Sequence, residues 1–385
     1  FGYQKYKEQQ ELIEMIQREV PNSLGEKSWD WFQELANVPR TLTSSLFDFS
    51  FGLRQGSVVL YRHPKEFKEA FVSQFKPFLA DENYEALMDT VMKHPDFGLA
   101  NQAKVAFTDI NAKLTLREER YMSSLAEKIP LIGRGVRATN RAYTAMANKL
   151  RMDAFAKSVK TAEDLGLNPK QDEILLRKMA MTVNDITGRG DYPKALRGIQ
   201  TLLNAFFFSP RLIFSRLNLL LPVRYITAPA HIRKEYLKTM GSFAGGVATI
   251  LGLAKVAGFD VELDPRNANF AKIRVGNTRI DIMGGFQQYL RIGAQFISGK
   301  YISSSTGKFI TLGEGFKPLT RGQILARGVE SKEAPLFSFI TEWLGGQDPT
   351  GEKINVPKEV LERFVPMTAM DMYELAKEQP ELLPL

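Results

Sequence analysis

The stretch VELDPRNANFAKIRVGNTRIDIMGG, residues 261–285, leaves the chain the least conformational freedom. Phe270, Lys272 and Arg274 alternate with Ala271, Ile273 and Val275. After Gly276-Asn277, Thr278, Ile280 and Ile282 alternate with Arg279 and Asp281. A period of two places successive side chains on opposite faces, as a strand does. A two-residue Gly-Asn link between such runs fits a primed turn, with glycine supplying the positive φ. DVELDP, just before, is expected to add a third short strand that Pro265 ends. Two or three short strands are marginal alone, so the apolar face needs helices to cover it. Asp264, Arg274, Arg279 and Asp281 are expected to form an ion-pair cluster fixing the hairpin, with a ligand site as the second reading. The hairpin is read as a rigid clip that organises the helices around it. Lys272, Arg274 and Arg279 on its edge either discourage pairing with another chain or meet one.

Almost everything else carries helical signals. YKEQQELIEMIQREVP, from Tyr6, is an amphipathic helix stopped by Pro21. Residues 22–62 are mixed and aromatic-rich, with Trp29, Trp31, Phe32, Phe47, Phe49 and Phe51. Phe67, Phe71, Phe75 and Phe78 share one helical face, which reads first as core and second as a ligand slot or membrane-facing stripe. Further helices are expected over 82–94 and about 98–160, capped by Asp81 or Asp96 and broken at Pro130 and the IGRG of 132–135. Asn168 and Pro169 read as the cap and first position of a helix that ends before Gly188. Ser209 and Pro210 open a helix to about Leu221, and Pro222 and Pro229 divide the segment beyond it. GGFQQYLRIGAQFIS returns to helix, SSSTGK is a polar loop, and further helices start near Thr320 and Pro335, with two short ones in the tail. The expected fold is mainly α: a multi-helix assembly with one small hairpin, or three short strands, near 259–283. Its divisions are a helical region 1–188, a helical module with the hairpin 189–345, and a short tail 346–385.

GSFAGGVATILGLAKVAGF, residues 241–259, has about the length of a membrane span. Its glycines at 241, 245, 246, 252 and 258 favour close helix contacts in lipid or in water. A helix buried in a water-soluble bundle is the first reading and membrane insertion the second.

Charge is uneven. Between Arg189 and Gly258 there are 10 Lys or Arg and 2 Asp or Glu, an excess equal to the +8 of the whole chain. Arg197, Arg211, Arg216, Arg224, Arg233, Lys234 and Lys238 are the candidate contacts for DNA, anionic lipid or an acidic partner. Solvated outer faces of packed helices would look the same.

No catalytic constellation emerges. The chain has no cysteine, which excludes disulfides, thiolate nucleophiles and Cys-based zinc sites. His63, His94 and His231 lie far apart and form no i, i+4 pair, so no helical metal pair is expected. SSSTGKF at 303–309 lacks the leading glycine of a phosphate loop, since Ile302 stands there, and Phe309 replaces the closing hydroxyl. GRGDYP at 188–193 is a turn. Glu118 and Glu119, as helix neighbours, point about 100° apart. Glu118 remains the one candidate acid if residues 1–190 hold an unrecognised enzyme site, such as a cell-wall hydrolase. No catalytic residue, cofactor, metal or small-molecule substrate is implied. The chain opens on Phe1 without a basic-then-apolar leader and is expected to be a processed product or a piece of a longer protein.

SPRLIFSRLN, PVRY, GFDVELDPRNANFAKIRVGNTRIDIMGGFQQYLRIGAQFISGKYISSSTGK and LTRGQILARGVESKEAPLFSFI succeed one another over about residues 200–345. This series resembles the large polyvalent protein-associated domain of giant bacteriophage and mobile-element proteins. The resemblance implies a module with no defined catalytic activity, part of an internal virion protein that is packaged in the capsid, delivered with the DNA and then placed at the host envelope or in the cytoplasm; it leaves open whether the parent protein is an enzyme. The partners it implies are copies of itself and other core or portal proteins, with DNA or an anionic membrane as further contacts. A channel-forming element at the envelope is the alternative. A cysteine-free chain of helices with mostly local contacts suits passage through a narrow tail, because such units refold fast.

Overall fold

The computed structural model describes residues 51–108, 132–200, 203, 206–207, 209–276, 278–303, 306–314 and 319–332. The expected helix at Tyr6, the Trp29–Trp31 region, Glu118, Asn277, the helix at Pro335 and the tail lie outside the described residues.

The protein is mainly helical with a few short antiparallel strands in two small sheets. In chain order its helices are α1 (Phe51–Arg54), α2 (Ser57–Arg62), α3 (Pro64–Ser73), α4 (Phe75–Leu79), α5 (Asp81–Met92), α6 (Phe97–Gln102), α7 (Ile132–Asp164), α8 (Glu173–Ile186), α9 (Pro210–Leu220), α10 (Val223–Thr227), α11 (Ala230–Val256), α12 (Phe286–Ser298) and α13 (Arg321–Glu330). A 3-10 turn over Lys194–Ile199 precedes α9. Strands β1 (Asp260–Val261), β2 (Lys272–Val275) and β3 (Thr278–Asp281) form one sheet in that order; β4 (Lys300–Ile302) and β5 (Phe309–Thr311) form the other.

The central element is α7. It buries Met146, Leu150, Met152 and Phe155 on several sides, as only a helix surrounded by others does. Each such side chain contributes about 1.5–3 kcal/mol of burial. Helices α3, α4 and α5 pack on it from one direction and α8 from another. The core also encloses polar side chains that serve a loop. Asn148 both accepts from Thr108 N (2.8 Å) and donates to Thr108 O (2.7 Å). Fully buried Arg151 donates to Ala106 O (2.9 Å) and Thr187 O (3.3 Å). Asn184 accepts from Ala106 N and donates to Lys104 O. Three side chains from α7 and α8 thus satisfy the backbone of the 104–108 loop, which lacks secondary-structure partners of its own.

Several boundaries differ from the sequence reading. The IGRG of 132–135 does not break a helix; it is the first turn of α7. Helix α8 starts at Glu173 with Asp172 as its cap, whose Oδ1 accepts from Leu175 N (2.9 Å). Asn168 instead heads a turn, accepting from Asp172 N through its carbonyl. Pro210 does open α9, but Ser209 makes no side-chain cap bond and only its carbonyl accepts from Ile213 N. Asp81 is not a cap; it occupies the first position of α5, where its charge favours the positive end of the helix. The phenylalanine stripe is interrupted at Gln74, which separates α3 from α4. Phe67 is core, Phe71 half-buried and Phe75 exposed.

Around the hairpin the register is Lys272↔Asp281, Ile273↔Ile280, Arg274↔Arg279 and Val275↔Thr278, and Gly276 has φ +59°. The third strand exists: β1 pairs with β2 through Asp260↔Arg274 and Val261↔Ile273. Cover by helices is incomplete, however, because β3 is exposed along its whole length. The second hairpin was not anticipated; SSSTGK lies between its strands as the polar loop.

The boundary drawn at 188 falls inside one continuous core, which runs from Val58 and Phe67 through Phe155 and Met179 to Phe243, Val261 and Phe286. Helix α2 lies along α11. Arg62 and Glu235 join them in an ion pair of 2.9 Å, and Tyr61 donates to Ile282 O at 3.2 Å.

Candidate interaction surface

One face of α11 faces the core. Ile232, Tyr236, Thr239, Phe243, Val247 and Leu251 are buried, at helical spacing, against α2 and the hairpin. Phe243 packs between Tyr61 (5.4 Å, edge-on) and Phe286 (4.8 Å). The opposite face is exposed and apolar: Leu237, Gly241, Ala244, Gly245, Ala248, Gly252, Leu253 and Val256. The expectation of a buried helix at 241–259 is therefore corrected. Only 22% of its most apolar 18-residue window is buried, and the helix ends at Val256. A membrane-span length criterion is met by this one helix among the described residues. Val223 and Ile226 on α10, packed beside it, are exposed too.

The six basic candidates whose side chains are described do not form one patch. Arg216 is buried and donates to Gly284 O (3.2 Å) and Arg54 O (2.5 Å), with its guanidinium 4.5 Å from the Phe286 ring. Arg224 faces the carboxylate of Asp185 at 3.2 Å. Both are corrected from surface contacts to internal ones: their side chains bridge helices, and nothing outside can reach Arg216. Arg211 is half-buried beside Tyr192 (5.6 Å). Arg233 donates to Ala228 O, and Lys238 pairs with Glu235 (3.2 Å). Arg233, Lys234 and Lys238 are the exposed ones, all at the start of α11. The side chain of Arg197 lies outside the described residues.

Asp185 is buried where several helices meet, and it escaped the sequence reading. Its carboxylate is buried in the last turn of α8, accepting from Asn218 Nδ2 (2.8 Å) and Tyr236 OH (2.9 Å). Ser215 donates to its carbonyl (2.5 Å). Four helices, α8 to α11, meet here. Burial pushes its pKa up to about 6, against the pull of Arg224, Asn218 and Tyr236. Arg224 Nε finds no hydrogen-bond partner despite its closeness, so the attraction is undirected and desolvation wins. The same carboxylate, with burial as the larger cause, raises Tyr225 to about 12. One cue was in the sequence: an acid in the last turn of a helix opposes the helix dipole and needs a partner elsewhere.

The four-residue ion cluster expected at the hairpin does not form. Asp264 is taken by Arg266 in a two-pronged pair (2.9 and 2.7 Å), just past Pro265. Arg274 sits 3.9 Å from Asp260 and donates to Gly276 O. Asp281 accepts from Met283 N. Register explains the outcome: Arg274 and Arg279 lie directly opposite each other as like charges, and Asp281 faces Lys272.

The histidines lie on separate elements. His63 joins α2 to α3, and burial holds it below its usual range; His94 Nδ1 accepts from Asp96 N. Among the described residues no group of His, Asp and Glu is placed to hold a metal ion. No family model, curated protein or solved structure matches this chain.

Proposed function

We propose that the chain is an assembly module of a large bacteriophage internal virion protein, packaged in the capsid and delivered with the DNA, acting by association rather than by catalysis. The observation that carries this reading is the exposed small-residue face of α11. Gly241, Gly245, Ala248 and Gly252 recur at helical spacing and leave room for another helix at close range, which lipid chains do not require. A self-complementary helix face of this kind suits a second copy of the chain, related by a two-fold axis. The resemblance of residues 200–345 to large polyvalent protein-associated domains supports the phage setting. Light scattering of the purified chain tests the association: an oligomer is expected, reduced to monomer by Gly245→Leu. A monomeric wild-type chain over the micromolar range sinks it. Cross-linking mass spectrometry on intact virions tests the setting, with α11 peptides joined to other copies or to portal as the expected result.

A second reading, a membrane-active element, draws on the same helix, since its most apolar window is mostly exposed and Lys255 is the one charged residue of α11 after Lys238. Insertion of residues 241–256 into anionic vesicles, with monomer in solution, favours it over assembly.

A further inference from the structure

Strand β3 is an outer strand of the β1–β2–β3 sheet, and all its residues, Thr278–Asp281, are exposed. An edge strand presents unpaired N–H and C=O groups, a template for another strand. Most of the basic residues expected to guard this edge sit elsewhere: Lys272 and Arg274 belong to β2, the central strand. Arg279 alone of the three is on β3, followed by Ile280 and Asp281. The strand has no proline, and it pairs residue for residue with β2, so no bulge twists it away.

Register fixes which backbone groups face outward. Antiparallel pairs alternate between those that exchange hydrogen bonds and those that do not, and a two-residue connection closes on a bonded pair. Val275↔Thr278 closes this hairpin, so Ile273↔Ile280 is the next bonded pair. The N–H and C=O groups of Arg279 and Asp281 therefore point off the sheet. Lys272, opposite Asp281, agrees with this alternation: its N–H donates to Asn269 O and not to β3. The side chains of Arg279 and Asp281 share one face, and Ile280, 46% exposed, is on the other. Arg279 lies opposite Arg274, which is 3.9 Å from Asp260, and has no ion-pair partner of its own among the described residues. Asp281 accepts from Met283 N through Oδ1, which leaves Oδ2 for a cation.

We propose that β3 pairs edge to edge with β3 of a second copy of the chain, antiparallel about a two-fold axis through Ile280. A two-fold register that matches outward groups with outward groups is centred on Arg279, Ile280 or Asp281. Centring on Arg279 or Asp281 sets like charges opposite each other. Centring on Ile280 sets Arg279 of each copy opposite Asp281 of the other, each pair exchanging backbone hydrogen bonds, and brings the two Ile280 side chains together. That reciprocal arrangement is what an isologous contact requires, so charge complementarity selects a second copy as the occupant. The contact uses no residue of α11 and stands or falls apart from the assembly reading.

The chain has no cysteine, so a single Ile280→Cys substitution in the full chain reads the register. Across a non-bonded pair the two Cα atoms lie about 4.5 Å apart, within disulfide reach. The two Thr278 positions lie about 13 Å apart, beyond it. Mild oxidation with copper phenanthroline is expected to give a disulfide dimer of Ile280→Cys, and about tenfold less of Thr278→Cys. A disulfide traps even a weak contact of this kind. Adding Arg279→Glu to Ile280→Cys is expected to cut the dimer about tenfold, because both cross-strand attractions become repulsions. Within one copy the same change sets an acid opposite Arg274, so it does not threaten the fold. Adding Gly245→Leu instead is expected to leave the dimer in place, which separates this contact from that of α11. Hydrogen exchange at the Arg279 and Asp281 amides of the unmodified chain is the second measurement, with protection expected to rise with protein concentration. Protection independent of concentration means that another segment of the same chain covers the edge, and it overturns the proposal. Equal cross-linking at positions 278 and 280, indifference to Arg279→Glu, or no dimer at all overturns it too.

Discussion

Two buried ionisable side chains do most at the scale of single residues. Asp185 has a pKa raised to about 6 in the folded protein, against 3.8 in an unstructured chain. Below about pH 4 both states hold the proton; between about 4 and 6 only the folded state does. Stability from this group is therefore full at low pH and falls as pH rises through that window, by about 3 kcal/mol at most. Chemical denaturation of wild type and Asp185→Asn across pH 4 to 7 checks this: the difference in stability between them should slope in that window and level off above it. Arg216 is a fixed tie. Truncation to alanine strips donors from Gly284 O and Arg54 O in a dry site, at a cost of about 3 kcal/mol or more. Arg216→Lys should recover little, because an ammonium cannot reproduce the planar fork that reaches two carbonyls from different segments. Urea midpoints of the two variants settle the comparison. Arg216 reads in the sequence as one more cation in a basic segment, and its burial comes from where α1 and the hairpin exit happen to meet α9.

At the scale of elements, two adjacent glycines on α11 separate what pattern shows from what packing shows. A methyl group added at Gly246 overlaps the Tyr61 ring of α2, whereas one added at Gly245 meets nothing. Gly246→Ala is expected to destabilise the monomer by about 1–3 kcal/mol through overpacking. Gly245→Ala is expected to stabilise it by about 0.5–1 kcal/mol, because alanine loses less backbone freedom on folding. Thermal melts at low protein concentration, where self-association is minimal, distinguish the signs. The hairpin tells a similar story. Alternation and the Gly276 turn were legible, since strand period and positive φ are local properties. Its charge pairing was not, since that depends on register and on the competing Asp264–Arg266 pair. The β4–β5 hairpin passed unseen because three-residue strands carry too little alternation to stand out from loop.

For the whole molecule, the core runs without interruption from Val58 to Phe286, across the division drawn at 188. Removing residues 1–108 strips α2 from α11 and exposes Phe243, Val247 and Leu251. The expected result is loss of a cooperative unfolding transition in the 189–345 fragment, read by circular dichroism; a sharp transition in that fragment would restore the boundary at 188. By itself the sequence determined the mainly helical class, the proline-delimited helices α9, α10 and α11, and the three-stranded hairpin. Those are outcomes of local rules: side-chain period, fixed proline φ and glycine turn geometry. Only the tertiary structure decided which face of α11 is covered, which arginines are internal, and where Asp185 finds its partners. Each of those depends on segments far apart in the chain arriving at one place, and no local pattern encodes that meeting.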